Sequence, residues 1–393
     1  MYQRALVQQL RGRLQEPRRF IQIVVGPRQT GKTTAVDQAI AGLGLAAHVV
    51  SADDPTILDA EWVRREWDTA RSLQASVDQP AVLVIDEIQK IDQWSGLVKL
   101  LWDEDSRAGR SLLVVLTGSS PLLLQRGLAE SLAGRFEVLH CPHWNFAECR
   151  EAFGYTLDDF LFFGGYPGAA VLHGDETRWV RYLGASIVEP TISQDVLAMG
   201  EIRKPALLRS LFILGATYSA QELSLTKVQG RLQDAGNTAT LAHYLTLLDK
   251  AGMLTGLPKF QPTPLATRAS SPRFMVYDTS LMVYATGASR RRLLDDSTLR
   301  GHLVESAVGA YLLARGAEEG FAVSYWRERA QEVDFVIQRG TAVTAIEVKS
   351  GGVKTPHGSL AFMKAFPKAR GIVVGSPAYP LADVLAGRVP LFG

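Results

Sequence analysis

The chain has 393 residues, 47% hydrophobic and 21% charged, with a net charge of +2. That is the composition of an ordinary globular protein of two or three domains. No apolar run reaches bilayer-spanning length, and the Arg- and Gln-rich start, Met1 to Phe20, lacks an apolar signal core. Two cysteines, Cys141 and Cys149, exclude a disulfide framework. A cytoplasmic protein with no membrane partner is expected. Charge is uneven: residues 201–300 hold thirteen Lys and Arg against seven Asp and Glu, a local +6 that leaves −4 elsewhere. A basic middle points either to a polyanion or to a solvated surface.

The apolar run Phe20 to Val25 leads into Gly26-Pro27-Arg28-Gln29-Thr30-Gly31-Lys32-Thr33-Thr34, which reads G-x-x-x-x-G-K-T. Glycines let main-chain N–H groups turn inward around phosphate oxygens. Lys32 then reaches the β- and γ-phosphates, and the Thr33 hydroxyl ligates Mg²⁺. The helix that follows adds its positive N-terminal end. ATP with Mg²⁺ is the expected cofactor.

Four more strands are predicted, at Ala47–Val50, Ala81–Ile85, Leu112–Leu116 and Phe136–His140, with helical patterns between them. Continuous apolar strands alternating with helices mean a buried parallel sheet, an α/β fold. Its ligand sits at the carboxyl ends of the strands, which gathers Gly26, Asp86, Thr117 and Ser119 at one mouth. Val82 to Glu87 reads as a Walker B strand. Asp86 holds the Mg²⁺ through water, and Glu87 orients and polarises the attacking water. Trp62, Trp67 and Trp102 fall at helical positions and read as core. Cys141, His143 and Cys149 are too few and too irregular for a zinc site.

Phe160 to Val188 reads as helices kinked at Gly164-Gly165-Tyr166-Pro167. An apolar helix at Ser210–Leu214, a short one from Leu223, and one capped by Asn237-Thr238 follow; then Gly252-Met253-Leu254 enters an extended stretch. Helix, helix, helix, ribbon is the order of a winged helix-turn-helix. Its recognition helix, Thr238 to Lys250, offers Thr240, His243, Thr246 and Lys250 to nucleic acid or to a protein partner. Arg290-Arg291-Arg292 adds phosphate contacts or is a solvated loop.

From Leu303 the pattern runs helix, three strands (Val323–Trp326, Glu332–Ile337, Ala345–Lys349), helix, strand (Gly371–Val374). This order resembles the PD-(D/E)XK nuclease core. Glu347 and Lys349 point to the same face of their strand, and Asp334 is expected at the exposed start of the adjacent one. Asp334, Glu347 and a helical Glu305 are expected to share Mg²⁺, with Lys349 activating water for phosphodiester hydrolysis. The alternative is a structural, ion-paired edge.

These motifs, with Ile85-Asp86-Glu87-Ile88-Gln89-Lys90, Thr117-Gly118-Ser119-Ser120, Ser131-Leu132-Ala133-Gly134-Arg135, Asn145-Phe146-Ala147-Glu148 and Tyr277-Asp278, span nearly the whole chain in order. Together they resemble a prokaryotic AAA+ ATPase family with a C-terminal region of unassigned function. The resemblance implies that Thr117 or Ser119 is a polar sensor of the γ-phosphate or water, the rival being a simple turn. It implies that Arg135 is an arginine finger acting on a neighbouring subunit's nucleotide, hence a homo-oligomer; the rival is a surface arginine after a Gly turn. Relatives tend to carry Arg-Asp where this chain has Gln194-Asp195, which shifts weight onto Arg135. The expected plan is an ATPase core (1–150), a helical lid (151–200), a winged-helix module (201–275) and a nuclease-like domain (276–393). The expected function is ATP-driven work on DNA, branched, broken or foreign, as a remodeller, nuclease or helicase. The rival is a nucleotide-switched scaffold for protein partners.

Overall fold

The computed structural model describes residues 2–53, 59–77, 79–119, 131–197, 202–233, 236–261, 270–351 and 356–392. They fall into two compact units, Met1–Pro142 and His143–Gly393.

The first unit is built on five strands: β1 Ile21–Val25, β2 Ala46–Ser51, β3 Ala81–Asp86, β4 Leu112–Gly118 and β5 Phe136–His140. All pair in parallel, in the order β2-β3-β4-β1-β5. Helices α1 Ala5–Gln15, α2 Lys32–Ala41, α3 Ala60–Val77 and α4 Trp94–Arg107 cover the sheet. Side chains alternate across a strand, so each strand feeds two cores. Ile21, Ile23, Leu83, Ile85, Val114 and Leu116 pack with Trp62, Trp67, Trp94 and Trp102 of α3 and α4. Val24, Val82, Val84, Leu113 and Val115 pack with α1 and α2. This is why β3 and β4 read as unbroken apolar runs up to their polar ends. Because β4 lies between β1 and β3, the P-loop, Asp86-Glu87 and Thr117-Gly118-Ser119 leave the sheet side by side.

The second unit opens with α5 Phe146–Phe153, α6 Leu157–Phe163, α7 Pro167–Ala170 and α8 Glu176–Tyr182, the last running on through two π-helical stretches, Leu183–Val188 and Thr191–Val196. The boundary expected at residue 150 falls inside α5, which packs on α6 within this unit. Asn145 and Thr156 each close a capping box at the start of α5 and α6. The kink at Gly164-Gly165 is a close joint. A Cβ on Gly164 would meet Asp278 Oδ1 at 1.9 Å, and one on Gly165 the Trp144 carbonyl at 2.2 Å. Buried Asp278 takes the Gly165 amide at 2.7 Å and the Ser280 amide at 2.9 Å. The Gly-Gly-Tyr-Pro and Tyr-Asp motifs are therefore two halves of one contact.

Helices α9 Pro205–Thr217, α10 Leu225–Gln229 and α11 Thr238–Lys250 come next, followed by an antiparallel ribbon of β6 Leu254–Leu257 and β7 Arg273–Val276. Part of the predicted extended stretch, residues 262–269, lies outside the described residues. After α12 Thr279–Thr286, α13 Arg290–Asp295 and α14 Ser297–Glu319 comes a four-stranded sheet. Its strands are β8 Ala322–Glu328, β9 Gln331–Arg339, β10 Ala342–Val348 and β11 Arg370–Val374. The order is β11-β10-β9-β8, with only β10 and β11 parallel and α15 His357–Ala365 between them in sequence. A short α16, Leu381–Leu385, ends the chain's regular structure.

Candidate functional site

The P-loop is held from behind. Gly26 runs so close to the chain after β5 that a Cβ would lie 2.1 Å from the Cys141 carbonyl oxygen. Gln29 and Gly31 both take positive φ, +57° and +88°, which turns the loop into the start of α2. Thr30 is buried, and its hydroxyl donates to the Pro27 and Cys141 carbonyls at 3.0 and 3.2 Å. Arg4 escaped the sequence reading, because an Arg-rich helix start looks like solvated surface. It is buried, and one of its Nη atoms reaches the Thr30 carbonyl at 3.2 Å, Cys141 Sγ at 3.1 Å and the Pro142 carbonyl at 3.0 Å. Arg28 is half-buried, while Gln29, Thr33 and Thr34 face solvent.

Lys32 is buried, with its ammonium donating to the Gly26 and Pro27 carbonyls at 3.1 and 2.8 Å. The Thr33 hydroxyl donates to Asp86 Oδ2 at 3.0 Å. The other Asp86 oxygen takes the Thr117 hydroxyl, which also faces the Glu87 amide. Glu87 Oε2 accepts from Ser119 Oγ at 2.8 Å and from the Gln89 amide nitrogen. Thr117 and Ser119, expected at the nucleotide, are thus buried against the two acids. A hydroxyl and a carboxylate converging beside a lysine and a helix N-terminus are hard oxygen donors suited to Mg²⁺ and a phosphate chain. Thr33 and Asp86 would hold the metal, which supplies neutralisation of phosphate charge.

Residues 18–150 match an AAA domain. The first unit carries a P-loop ATPase domain. Residues 154–292 and 300–386 match two domains of unknown function, DUF8612 and DUF4143. A solved structure, a Walker-type ATPase of Pyrococcus abyssi, aligns at TM-score 0.47 and 15% identity, over 72% of this chain and 94% of that one. No curated protein matches the chain. Among the described residues, no helix is long and apolar enough to cross a membrane.

In the AAA domain, Arg135 is paired bidentately with Asp103 of α4, at 2.8 and 3.1 Å. The pair is about one-third exposed on each side. The Arg135 guanidinium holds the Asp103 carboxyl below the usual carboxylate range.

In the second unit, Glu305, Asp334, Glu347 and Lys349 line one open pocket of about 410 Å³, with Glu222, Arg273, His302, Arg327 and Glu332. Sequence order alone united the first four; Arg273, from the ribbon, was not foreseen. Asp334 lies within β9 rather than at its exposed start, and Lys349 follows the end of β10. The oxygens of Asp334 and Glu347 are engaged internally, while Glu305 faces His302 Nδ1 at 3.9 Å. Glu347 takes the Ser359 amide, in the first turn of α15, and the Lys349 ammonium at 2.9 Å. Asp334 Oδ2 takes the Val348 amide at 2.8 Å, while Oδ1 faces Arg273 at 3.5 Å. Arg273, 5% exposed at its side chain, also pairs with Glu332. Burial first, then the nearby Glu305 carboxylate, push Asp334 up to about 6. Among the described residues, no group of three or more His, Cys, Asp or Glu is placed to hold a metal ion. As arranged, Asp334 and Glu347 turn their oxygens to Arg273, Lys349 and backbone amides rather than to the shared Mg²⁺ expected there. On α11, His243 and Thr246 are exposed and Thr240 and Lys250 half-exposed. Of the Arg290–Arg292 run, Arg290 pairs with Asp159 and Arg291 with Asp295.

Proposed function

We propose that this chain hydrolyses ATP and applies the turnover to DNA. The observation that carries the hydrolysis is the contact of Thr33 with Asp86 at 3.0 Å, alongside Glu87 held by its own donors. A metal seat and a water-activating carboxylate stand beside the phosphate loop. The DNA reading is supported by the three helices and ribbon of residues 205–276, read as a winged helix. The exposed side of α11 and the local +6 add to it. Residues 151–200 act as a lid, and Arg135 is released from Asp103 to act on a neighbouring copy. Branched, broken or foreign DNA is the substrate class, with remodelling or helicase-type work as the output. The test is ATP turnover by the full chain across duplex, branched and single-stranded DNA, RNA and protein-only controls. Stimulation by DNA, weakening steeply with salt, is expected. Equal rates on every addition overturn the DNA reading and leave the ATPase standing.

A second reading is favoured by one observation: Asp334 and Glu347 are engaged by Arg273, Lys349 and backbone amides. In it, the helix-strand-strand-strand-helix-strand module keeps a nuclease-like PD-(D/E)XK layout without a metal, and the chain is a nucleotide-switched scaffold. No cleavage of any DNA with Mg²⁺ or Mn²⁺ is its expected outcome. Cleavage that disappears in Lys349→Ala while ATP turnover survives overturns it.

A further inference from the structure

The Glu87 carboxylate is unusually constrained for a residue just past the end of a strand. Its backbone takes φ +53°, a left-handed conformation that is strained for a non-glycine residue. The next three residues, Ile88–Lys90, make one 3₁₀ turn, with Ile88 fully buried beneath it. That turn returns the Gln89 amide to Glu87 Oε2. Ser119, itself 3% exposed, donates to the same oxygen from the end of β4 at 2.8 Å, and the Gln89 amide nitrogen lies 3.5 Å from the Ser119 hydroxyl. Both donors land on Oε2. Among the described residues, the Gln89 carbonyl oxygen, one carbon removed from the nitrogen that touches Glu87, is buried with no hydrogen-bond partner. A buried acceptor left unmatched is destabilising, so the working state brings a donor to it. A water beside Glu87 has two protons to give.

We propose that Gln89 and Ser119 are positioning residues that clamp Glu87 Oε2, so that Oε1 is the oxygen turned toward the attacking water. This rests on the ATPase reading and adds how its base is aimed. In the step, the water oxygen bonds to the γ-phosphorus and the bond from that phosphorus to the β–γ bridging oxygen breaks. ADP leaves with the electron pair, and the water proton passes to Oε1 of Glu87. The clamp fixes direction, which matters because misaligned bases lose most of their effect. Neither residue is asked to bind nucleotide.

The experiment uses the full chain. ATP hydrolysis is followed against ATP concentration, and nucleotide affinity with a fluorescent ATP analogue, in wild type, Gln89→Ala, Ser119→Ala, Glu87→Gln and the Gln89→Ala/Glu87→Gln double variant. Each single clamp variant is expected to lose roughly ten- to hundred-fold in kcat with nucleotide affinity held within about two-fold. In the Glu87→Gln background, Gln89→Ala is expected to lose nothing further, because its effect runs through that carboxylate. Native or raised kcat in both clamp variants overturns the proposal. So does a Gln89→Ala loss that persists in full without Glu87. Wild type that binds the analogue but releases no phosphate fails differently, by overturning the ATPase reading itself.

Discussion

At the scale of single residues, the nucleotide site divides into groups that bind and groups that aim. Lys32 holds loop carbonyls at 2.8 and 3.1 Å, weaker acceptors than the phosphate oxygens it is suited to. Lys32→Ala removes a charge-assisted contact of about 1.5–3 kcal/mol. A loss of roughly ten- to hundred-fold in ATP affinity is the expected result by equilibrium binding. Glu87→Gln keeps the loop intact, so ATP binds while turnover drops roughly 10²- to 10⁴-fold in a phosphate-release assay. Asp334 supplies a pH prediction. Its folded value, about 6, lies above the roughly 3.9 of an unfolded Asp. The folded state therefore binds more protons between about pH 4 and 6, and stability falls as pH rises through that window. Asp334→Asn is expected to flatten this part of the melting-temperature profile while leaving the curve below about pH 4 unchanged.

At the scale of elements, strands tell one story and joints another. Central β3 and β4 were legible because strands covered on both faces demand apolar residues at nearly every position, whereas edge strands β2 and β5 are partly exposed and carry His48 and Glu137. Glu87, Gln89 and Ser119 were visible as types, but their convergence on one oxygen was not, since a 3₁₀ turn and a neighbouring strand end bring them together. The Gly164-Gly165 joint shows the same limit: the sequence reads a kink, and only the fold supplies Asp278 as the reason. Asp278→Ala would leave the Gly165 and Ser280 amides without their acceptor in a buried place. A loss of about 2–3 kcal/mol in the second unit is expected by denaturant unfolding, while nucleotide affinity of the AAA domain stays unchanged.

At the scale of the whole molecule, the test is whether copies cooperate. Arg135→Ala should keep ATP affinity and lose turnover. Mixed with Lys32→Ala, it should regain activity if each variant supplies what the other lacks across an interface. Mixtures that only average the two rates would confine Arg135 to its pairing with Asp103. The amino-acid sequence alone determined the phosphate-binding loop, the order of strands along the chain and the acids at their ends. Each depends on local chemistry: glycine's backbone freedom, apolar runs that must be buried, and carboxylates at strand ends. Tertiary structure alone decided what those groups touch. It set β4 between β1 and β3, carried Arg4 to the back of the P-loop, and brought Arg273 from the ribbon into the carboxy-terminal carboxylates. Such pairings join residues far apart in the chain, and burial selects them by the cost of leaving a charge unmatched, a cost that no run of neighbouring residues encodes.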